Sequence, residues 1–232
     1  MPDDAQGRDG GRLIRILDLA ATVDFLTDAA SDLLATRSGR LVLGIAGGPG
    51  VGKSTLAAAL VARINERREA QAVVVPMDGF HMRQRKLEML GLVDRKGAPQ
   101  TFEPEAFAAF LTRLKSATTT VRGPGYSRKI EDVVDDAIEV PTAARLLVVE
   151  GNYLLLARPE WSGVRPLLDY SVLLKLDRDV ARRRLIARRN EEGLFAPETT
   201  EPYVAAVDLP NFDLVYGESA PADVAIVIDT QH

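Results

Sequence analysis

Cysteine is absent from this 232-residue chain, and so are long hydrophobic runs. The lack of cysteine excludes disulfides, a thiol nucleophile and Cys-ligated zinc. No segment approaches the roughly 18–20 apolar residues that a membrane-spanning helix needs. The N-terminal sequence MPDD is acidic and lacks an apolar stretch, so we expect no signal peptide and no membrane association. We expect a cytoplasmic protein.

Excess positive charge is also missing, because the formal net charge is −4. A general nucleic-acid binder needs a broad basic surface to neutralise phosphates, so no nucleic-acid polymer is expected as a partner. Residues 1–12 are polar and glycine-rich, which predicts a disordered tail. The full chain is 46% hydrophobic, which is enough for a sizeable core. We predict that residues 13–232 form a single domain.

The most informative segment is LVLGIAGGPGVGKST at 41–55. An apolar run leads into a glycine loop, and alanine and leucine at helical spacing follow it. The loop fits the pattern G-x-x-x-x-G-K-[ST], in which glycines let backbone N–H groups face phosphate oxygens at a helix N-terminus. The predicted nucleotide-binding residues of this segment are Gly47, Gly48, Gly50, Val51, Gly52, Lys53, Ser54 and Thr55.

Two side chains of this loop have separate predicted tasks. Lys53 should reach the β- and γ-phosphates of ATP, and the hydroxyl of Ser54 should ligate Mg²⁺. ATP and Mg²⁺ are therefore the expected cofactors. The alternative is a chance glycine-rich turn, but such a turn would not require a strand before it and a helix after it.

Short apolar segments that alternate with helical patterns indicate an α/β protein. We predict a P-loop NTPase fold with a five-stranded, mainly parallel sheet and helices on both faces. The predicted strands are 41–46, 72–77, 145–149, 169–176 and 222–228, and the helix 53–68 provides the first crossover connection.

Acidic residues follow two of these strands. Ligands of open α/β sheets bind at the carboxyl ends of strands. Asp78 is therefore the candidate general base, which would accept the proton of a substrate hydroxyl; it could instead form a turn or cap a helix. Glu150 is the candidate Mg²⁺ ligand beside Ser54, and its alternative is also a capping role.

A second basic element is the segment DRDVARRRLIARRNEEG at 177–193. Arg184 and Arg188 lie four residues apart on one helical face and predict a lid that closes over ATP, with Arg188 acting on the transferring phosphoryl group. The alternative is a solvated basic helix. Asn211, in a predicted polar turn at 208–211, could bind a purine edge or simply form the turn.

Residues 91–141 contain too few apolar residues for a core of their own, so we predict a substrate-recognition insertion. It includes a short antiparallel ribbon near 130–140. The ribbon and the sheet edges could support a homodimer. His81 and Arg83 are weaker candidates for substrate contact, since a lone histidine beside a strand is more often packed than catalytic.

The motifs MDGFH, RKGAPQTF, GYSRKIEDVVDDAI and VVEGNYLL, together with the glycine loop, resemble the P-loop small-molecule kinases that include uridine kinase, phosphoribulokinase and type I pantothenate kinase. Within that family the sequence is most similar to the bacterial branch of nucleoside/nucleotide kinases or fructose-transport-system kinases. The resemblance covers about residues 15–229.

This resemblance implies a phosphotransferase that acts on an alcohol group of a small metabolite, such as a sugar, a nucleoside or a pantothenate-like compound. It places Tyr126 and Arg128 near the substrate, with Arg128 where pantothenate kinase has a histidine. The implied acceptor residues are Asp78, His81, Arg83, Tyr126, Arg128 and Glu150.

Two alternatives stay open at this point. The Asp78-Gly79-Phe80 turn is reminiscent of adenylate kinases, and a nucleoside-monophosphate kinase would need arginines for the acceptor phosphate. The candidates are Arg83, Arg85, Arg122 and Arg128. A regulatory nucleotide switch is less favoured, because the sequence contains neither Asn-Lys-x-Asp nor Leu-Ser-Gly-Gly-Gln.

Overall fold

A computed structural model of the chain describes residues 12–16, 18–67, 71–193 and 197–228. The strands are β1 (Arg12–Ile16), β2 (Leu41–Gly47), β3 (Ala72–Pro76), β4 (Val121–Ser127), β5 (Asp132–Val140), β6 (Leu146–Gly151), β7 (Tyr170–Lys175) and β8 (Val224–Ile228). The α-helices are α1 (Leu19–Thr36), α2 (Lys53–Arg67), α3 (Gln84–Leu90), α4 (Pro104–Ser116), α5 (Arg178–Glu192), α6 (Pro197–Tyr203) and α7 (Leu209–Glu218).

The central sheet has the strand order β1-β8-β7-β2-β6-β3, and its strands pair in parallel. All five predicted strands are present. The sheet also contains one strand more than predicted, because β1 pairs with β8 at the edge. This strand begins at Arg12, so the last residue of the predicted tail belongs to the sheet. The rest of that tail, residues 1–11, lies outside the described residues.

Two apolar layers cover the sheet, one on each face, because buried side chains of the strands point alternately to the two faces. Val42 of β2 contributes to one core cluster, whereas its neighbours Leu41 and Leu43 contribute to the other. Successive side chains of a strand point to opposite faces. The first layer includes α4 and the aromatic residues of the insertion, and the second includes α1 and α2.

The predicted insertion packs on the sheet and shares its core. The ring of Phe80, directly after β3, lies 5.0 Å from that of Phe107 and 5.3 Å from that of Phe110, both in α4. The strands β4 and β5 form the predicted antiparallel ribbon. A Cβ on Gly79 would lie 2.3 Å from the carbonyl oxygen of Pro124, so only glycine allows this close approach of the ribbon.

The polar turn predicted at 208–211 is wrong, because the chain is helical there. A π turn, Val204–Asp208, connects α6 to α7. Pro210 lies in the first turn of α7. Within the described ranges, no helix combines the length and the apolar character needed to cross a bilayer.

Candidate active site

A cavity of about 980 Å³ opens beside the carboxyl ends of β2, β3 and β6. This volume is at the upper end of the roughly 300–1,000 Å³ that is usual for ligand sites. The glycine loop, the turn after β3, the end of β6, the ribbon, α5 and the π turn all contribute to its lining. Consequently most of the predicted site residues, which are distant in sequence, lie around one space.

The glycine loop adopts the conformation that its glycines make possible. Gly50 and Gly52 have φ angles of +80° and +97°, in the left-handed region that side chains rarely adopt. Residues Pro49 to Thr55, including Val51, line the cavity. Gly47 ends β2, and the N–H of Gly48 donates to the hydroxyl of Tyr216 at 3.3 Å. These first two glycines therefore support the loop from outside the cavity lining.

Lys53 begins α2 and is buried. Its ammonium group donates to the carbonyl oxygen of Gly48 at 2.9 Å. Burial lowers the pKa of Lys53 to about 8, although the nearby Glu150 and Asp78 carboxylates act in the opposite direction. A buried ammonium near the bottom of an anion-binding loop fits the β- and γ-phosphates of ATP, since those oxygens would replace its lost hydration.

Ser54 and Glu150 meet at the carboxyl end of β6. The Ser54 hydroxyl donates to Oε1 of Glu150 at 3.1 Å. Burial and the Asp78 charge raise the pKa of Glu150 to about 7. A hydroxyl and a carboxylate are hard oxygen ligands, and Mg²⁺ usually combines one or two such groups with phosphates and water. This pair therefore fits Mg²⁺; the described residues contain no cluster of three or more His, Cys, Asp or Glu side chains for a metal.

Asp78 lies in a single 3₁₀ turn, Met77–Phe80, that begins where β3 ends. Its side chain lines the cavity near Glu150 and Lys53, as its influence on the pKa of both groups shows. The carbonyl oxygen of Asp78 lies 2.9 Å from Nδ1 of His81. Since a carbonyl oxygen only accepts, Nδ1 carries the proton and Nε2 is an acceptor. Burial lowers the pKa of His81 and favours this neutral form.

An aromatic wall lies next to Asp78. We use this name for His81, Phe102 and Tyr126. The His81 ring centroid is 3.8 Å from that of Phe102 and 4.7 Å from that of Tyr126. His81 and Phe102 also pair as an isolated antiparallel bridge. All three residues, together with Arg128 from the segment after β4, line the cavity.

The arginine-rich helix α5 covers the glycine loop. It begins after Asp177, whose carboxylate accepts from the N–H groups of Asp179 and Val180, and it ends at Gly193 in the left-handed conformation. A Cβ on Gly50 would lie 2.9 Å from Leu185 of α5. The helix therefore packs directly on the loop.

The arginines of α5 divide into two groups. Arg184 and Arg188 line the cavity, on the face that the sequence predicted. Arg178 pairs with Asp213 at 2.7 Å and Arg182 with Glu201 at 3.3 Å, and neither of these two lines the cavity. Arg178 and Arg182 are also four residues apart, so spacing alone does not distinguish the two pairs, and the packing of α5 decides which pair points to the cavity.

Arg83 does not line the cavity, unlike the other predicted substrate residues. Its guanidinium pairs with Asp135 and donates to the carbonyl oxygen of Val133 at 3.4 Å, outside the cavity lining. Asn211 is buried in α7 and does line the cavity.

Several lining residues were not predicted. They include Lys96, Phe102, Asn152, Arg183, Tyr203 and Asp208. Phe102 and Asn152 belong to the motifs RKGAPQTF and VVEGNYLL, which could have indicated them. Tyr203 and Asp208 had no sequence signal, because the helix that carries them was not predicted.

The parallel sheet, the glycine loop with its buried lysine and the acidic residues at strand ends define a P-loop phosphotransferase. The model of the "Phosphoribulokinase / Uridine kinase family" matches residues 42–209, which is more than half of the chain. The chain belongs to this family.

Its relatives include "Putative uridine kinase C227.14" of Schizosaccharomyces pombe, which is 37% identical over 77% of this chain and 78% of that protein. Among solved structures, a "putative fructose transport system kinase" from Silicibacter sp. TM1040 is 34% identical and superposes with a TM-score of 0.81, over 90% of this chain and 99% of that one. The pantothenate kinase of Enterococcus faecalis is 35% identical over 59% of this chain but only 45% of its own length.

The family and these relatives make the chain an ATP-dependent small-molecule kinase, a phosphotransferase that acts on a hydroxyl group. Its resemblance to uridine kinase, pantothenate kinase and fructose-transport-system kinases, predicted from the motifs, is confirmed.

Proposed function

We propose that the chain transfers the γ-phosphoryl group of Mg²⁺-ATP to a hydroxyl of a small sugar or nucleoside, with Asp78 as general base. The observation that carries the proposal is the position of Asp78. Asp78 lines the same cavity as Lys53 and Glu150, the proposed phosphate and Mg²⁺ ligands, and it lies beside the aromatic wall.

The nucleotide end would hold ATP as follows. The N–H groups of the loop and Lys53 bind the phosphates, while Arg184 and Arg188 approach them from the opposite side on α5. Ser54 and Glu150 hold Mg²⁺, which offsets the charge of the β- and γ-phosphates. Asn211 lies in the lining where it can donate to or accept from the nucleotide.

The acceptor end would orient the attacking hydroxyl. Asp78 accepts its proton, and the neutral His81 offers Nε2 as a hydrogen-bond acceptor to a second hydroxyl. The ring of Tyr126 suits the apolar face of a sugar or a base, while the buried Phe102 packs behind His81 and supports it. Arg128 adds a cation at the same end. Several neighbouring hydroxyls and one ring, as in a nucleoside or a sugar, match this arrangement.

The nucleoside-monophosphate alternative has less support. Of the four arginines that it would recruit, only Arg128 lines the cavity. Arg83 pairs with Asp135, and Arg122 pairs with Glu139 at 2.6 Å.

The test is ADP release from Mg²⁺-ATP across a panel of sugars, nucleosides, nucleoside monophosphates, pantothenate and ribulose 5-phosphate. One sugar or nucleoside should raise ADP release well above the rate with water alone. A matched control variant is Arg83→Gln, which removes a predicted substrate residue that lies outside the cavity lining. It should keep the acceptor preference. A response to nucleoside monophosphates alone would contradict the proposed acceptor class, and ADP release that no compound raises would favour a nucleotide-dependent switch.

A further inference from the structure

Arg189 occupies a different environment from the other arginines of α5. Its side chain is only 12% exposed, and that of its partner Asp208 is 11% exposed. Nε of Arg189 donates to Oδ2 of Asp208 at 2.9 Å, and Nη2 donates to Oδ1 at 3.2 Å. Such a two-point pair fixes the orientation of the guanidinium plane. The pair therefore joins the last part of α5 to the π turn.

A second contact extends from Arg189 to the acceptor end. The Arg189 guanidinium carbon lies 4.2 Å from the centroid of the Tyr203 ring. The hydroxyl of Tyr203 donates to the carbonyl oxygen of Lys96 at 3.2 Å. Lys96 itself reaches the acceptor end, because its ammonium lies 5.7 Å from the ring centroid of Tyr126. A continuous series of contacts thus joins α5 to the segment 96–102, which ends at Phe102 of the aromatic wall.

The π turn explains how one arginine reaches both partners. Tyr203 and Asp208 are five residues apart, and the turn Val204–Asp208 separates them. In an α-helix with 3.6 residues per turn, side chains five positions apart diverge by about 140°. In a π turn, which closes from i to i+5, residues five apart come to the same side. The irregular turn therefore aligns Tyr203 and Asp208 toward Arg189.

We propose that Arg189, Tyr203 and Asp208 are positioning residues that couple the lid helix α5 to the acceptor segment 96–102. When α5 settles on bound ATP, the series of contacts holds the segment 96–102 in place for the acceptor. Coupling between two ligands is reciprocal, so the acceptor should strengthen nucleotide binding by the same factor. This inference rests on the proposed function, since it assumes that ATP and the acceptor occupy the two ends of the cavity.

Hydrogen exchange tests the coupling without knowledge of the acceptor. The probe is Mg²⁺ with the non-hydrolysable analogue adenosine 5′-(β,γ-imido)triphosphate. In the wild-type protein, the analogue should slow exchange in the glycine loop, in α5 and in 96–102. Tyr203→Phe removes only the hydroxyl and keeps the ring beside Arg189. It should retain protection of the loop and of α5, while protection of 96–102 falls on the order of fivefold.

The matched control is Arg182→Gln, which breaks another ion pair between α5 and α6, with Glu201. It should protect 96–102 as the wild type does. If the wild type protects the glycine loop and α5 but not 96–102, or if Tyr203→Phe behaves as the wild type, the coupling is refuted while the proposed function stands. If the glycine loop itself gains no protection, the analogue does not bind there and both proposals fail.

Discussion

At the scale of single residues, burial changes the charges at the nucleotide end in opposite directions. It lowers the pKa of Lys53 to about 8 and raises that of Glu150 to about 7. Burial therefore disfavours the charged form of both side chains. Phosphates favour the charged lysine, and Mg²⁺ favours the charged carboxylate. The ligands thus restore the charges that burial disfavours.

Proton uptake on binding ATP provides a test of the Lys53 environment. Burial lowers the pKa of Lys53 to about 8, so at pH 8.5 without Mg²⁺ part of Lys53 is neutral before ATP binds. Nearby phosphates raise the pKa of the lysine, so binding of ATP should take up a fraction of a proton on its account. The measurement is calorimetric titration with ATP in two buffers of different ionisation enthalpy.

The control for this experiment is Lys53→Arg, since arginine stays charged at every accessible pH. The variant should take up fewer protons than the wild type, because it lacks the titrating lysine. Equal proton uptake in the two proteins would show that Lys53 is already fully charged before ATP binds.

The position of a residue at the cavity could be predicted where a motif fixed the backbone, and less well where a distant partner decides where the side chain lies. Lys53 begins the helix after β2, Asp78 lies in the turn after β3 and Glu150 lies at the end of β6. Parallel strands end at one edge of the sheet, so the proximity of these residues could be predicted. Arg83 also follows β3 closely, but Asp135 of the ribbon draws it outward. The sequence around Arg83 contains no signal for a partner 52 residues away, such as Asp135.

At the scale of elements, α5 both packs on the glycine loop and supplies arginines to the cavity. Leu185 and Ala181 hold it against the glycine loop, and Arg184 and Arg188 point from it into the cavity.

We predict that Arg188→Ala lowers kcat more than it weakens acceptor binding, because a guanidinium that stabilises the transferring phosphoryl group acts mainly in the transition state. Steady-state kinetics with the acceptor found in the panel measures both quantities. An effect confined to the acceptor KM would place Arg188 in the substrate site.

The N-terminus of α5 allows a separate test of stability. The Asp177 carboxylate accepts from two N–H groups, of Asp179 and Val180, that would otherwise be unpaired. Asp177→Ala should lower the free energy of unfolding by about 1 kcal/mol, whereas Asp177→Asn should retain most of it, since asparagine caps nearly as well. Chemical denaturation of the three proteins gives these values. Equal losses in both variants would mean that charge, and not the cap, stabilises α5.

Periodic elements were predictable and the irregular one was not. The apolar stripe of α4, with Phe107, Phe110, Leu111 and Leu114 buried, agrees with its sequence pattern. The π turn has no comparable pattern, and Pro202 and Pro210 at its two sides read as helix breakers. As a result, sequence analysis missed both Tyr203 and Asp208.

At the scale of the whole molecule, the cavity is lined by residues from several helices, strands and loops. The cavity forms only when the chain is folded, so a bound ligand should stabilise the folded state. A ligand at about 100 times its Kd adds roughly 2.7 kcal/mol, which for a chain of this size shifts Tm upward by roughly 5–11 °C. Mg²⁺-ATP should produce this shift in a thermal unfolding assay. Lys53→Met should reduce it strongly; an equal shift in that variant would place ATP elsewhere.

The sheet and its crossover helices could be predicted from the sequence because short apolar runs alternate with helical patterns. The acceptor end could be predicted only in outline. It is built from Phe102, Tyr126 and Tyr203, which come from three separate segments and meet only through long-range packing. The edge strand β1 was missed for a related reason, since it joins the sheet only by pairing with β8, more than 200 residues away.

The most direct measurement of the central claim is the fate of the γ-phosphoryl group. ATP labelled at that group is incubated with Mg²⁺, the acceptor found in the panel, and either the wild-type protein or Asp78→Asn. The wild type should move the label into a phosphate ester of the acceptor. Asp78→Asn should bind ATP equally well but transfer the label on the order of 10² times more slowly or worse, since it lacks the base. Label released only as inorganic phosphate, or unchanged transfer by Asp78→Asn, would contradict the account.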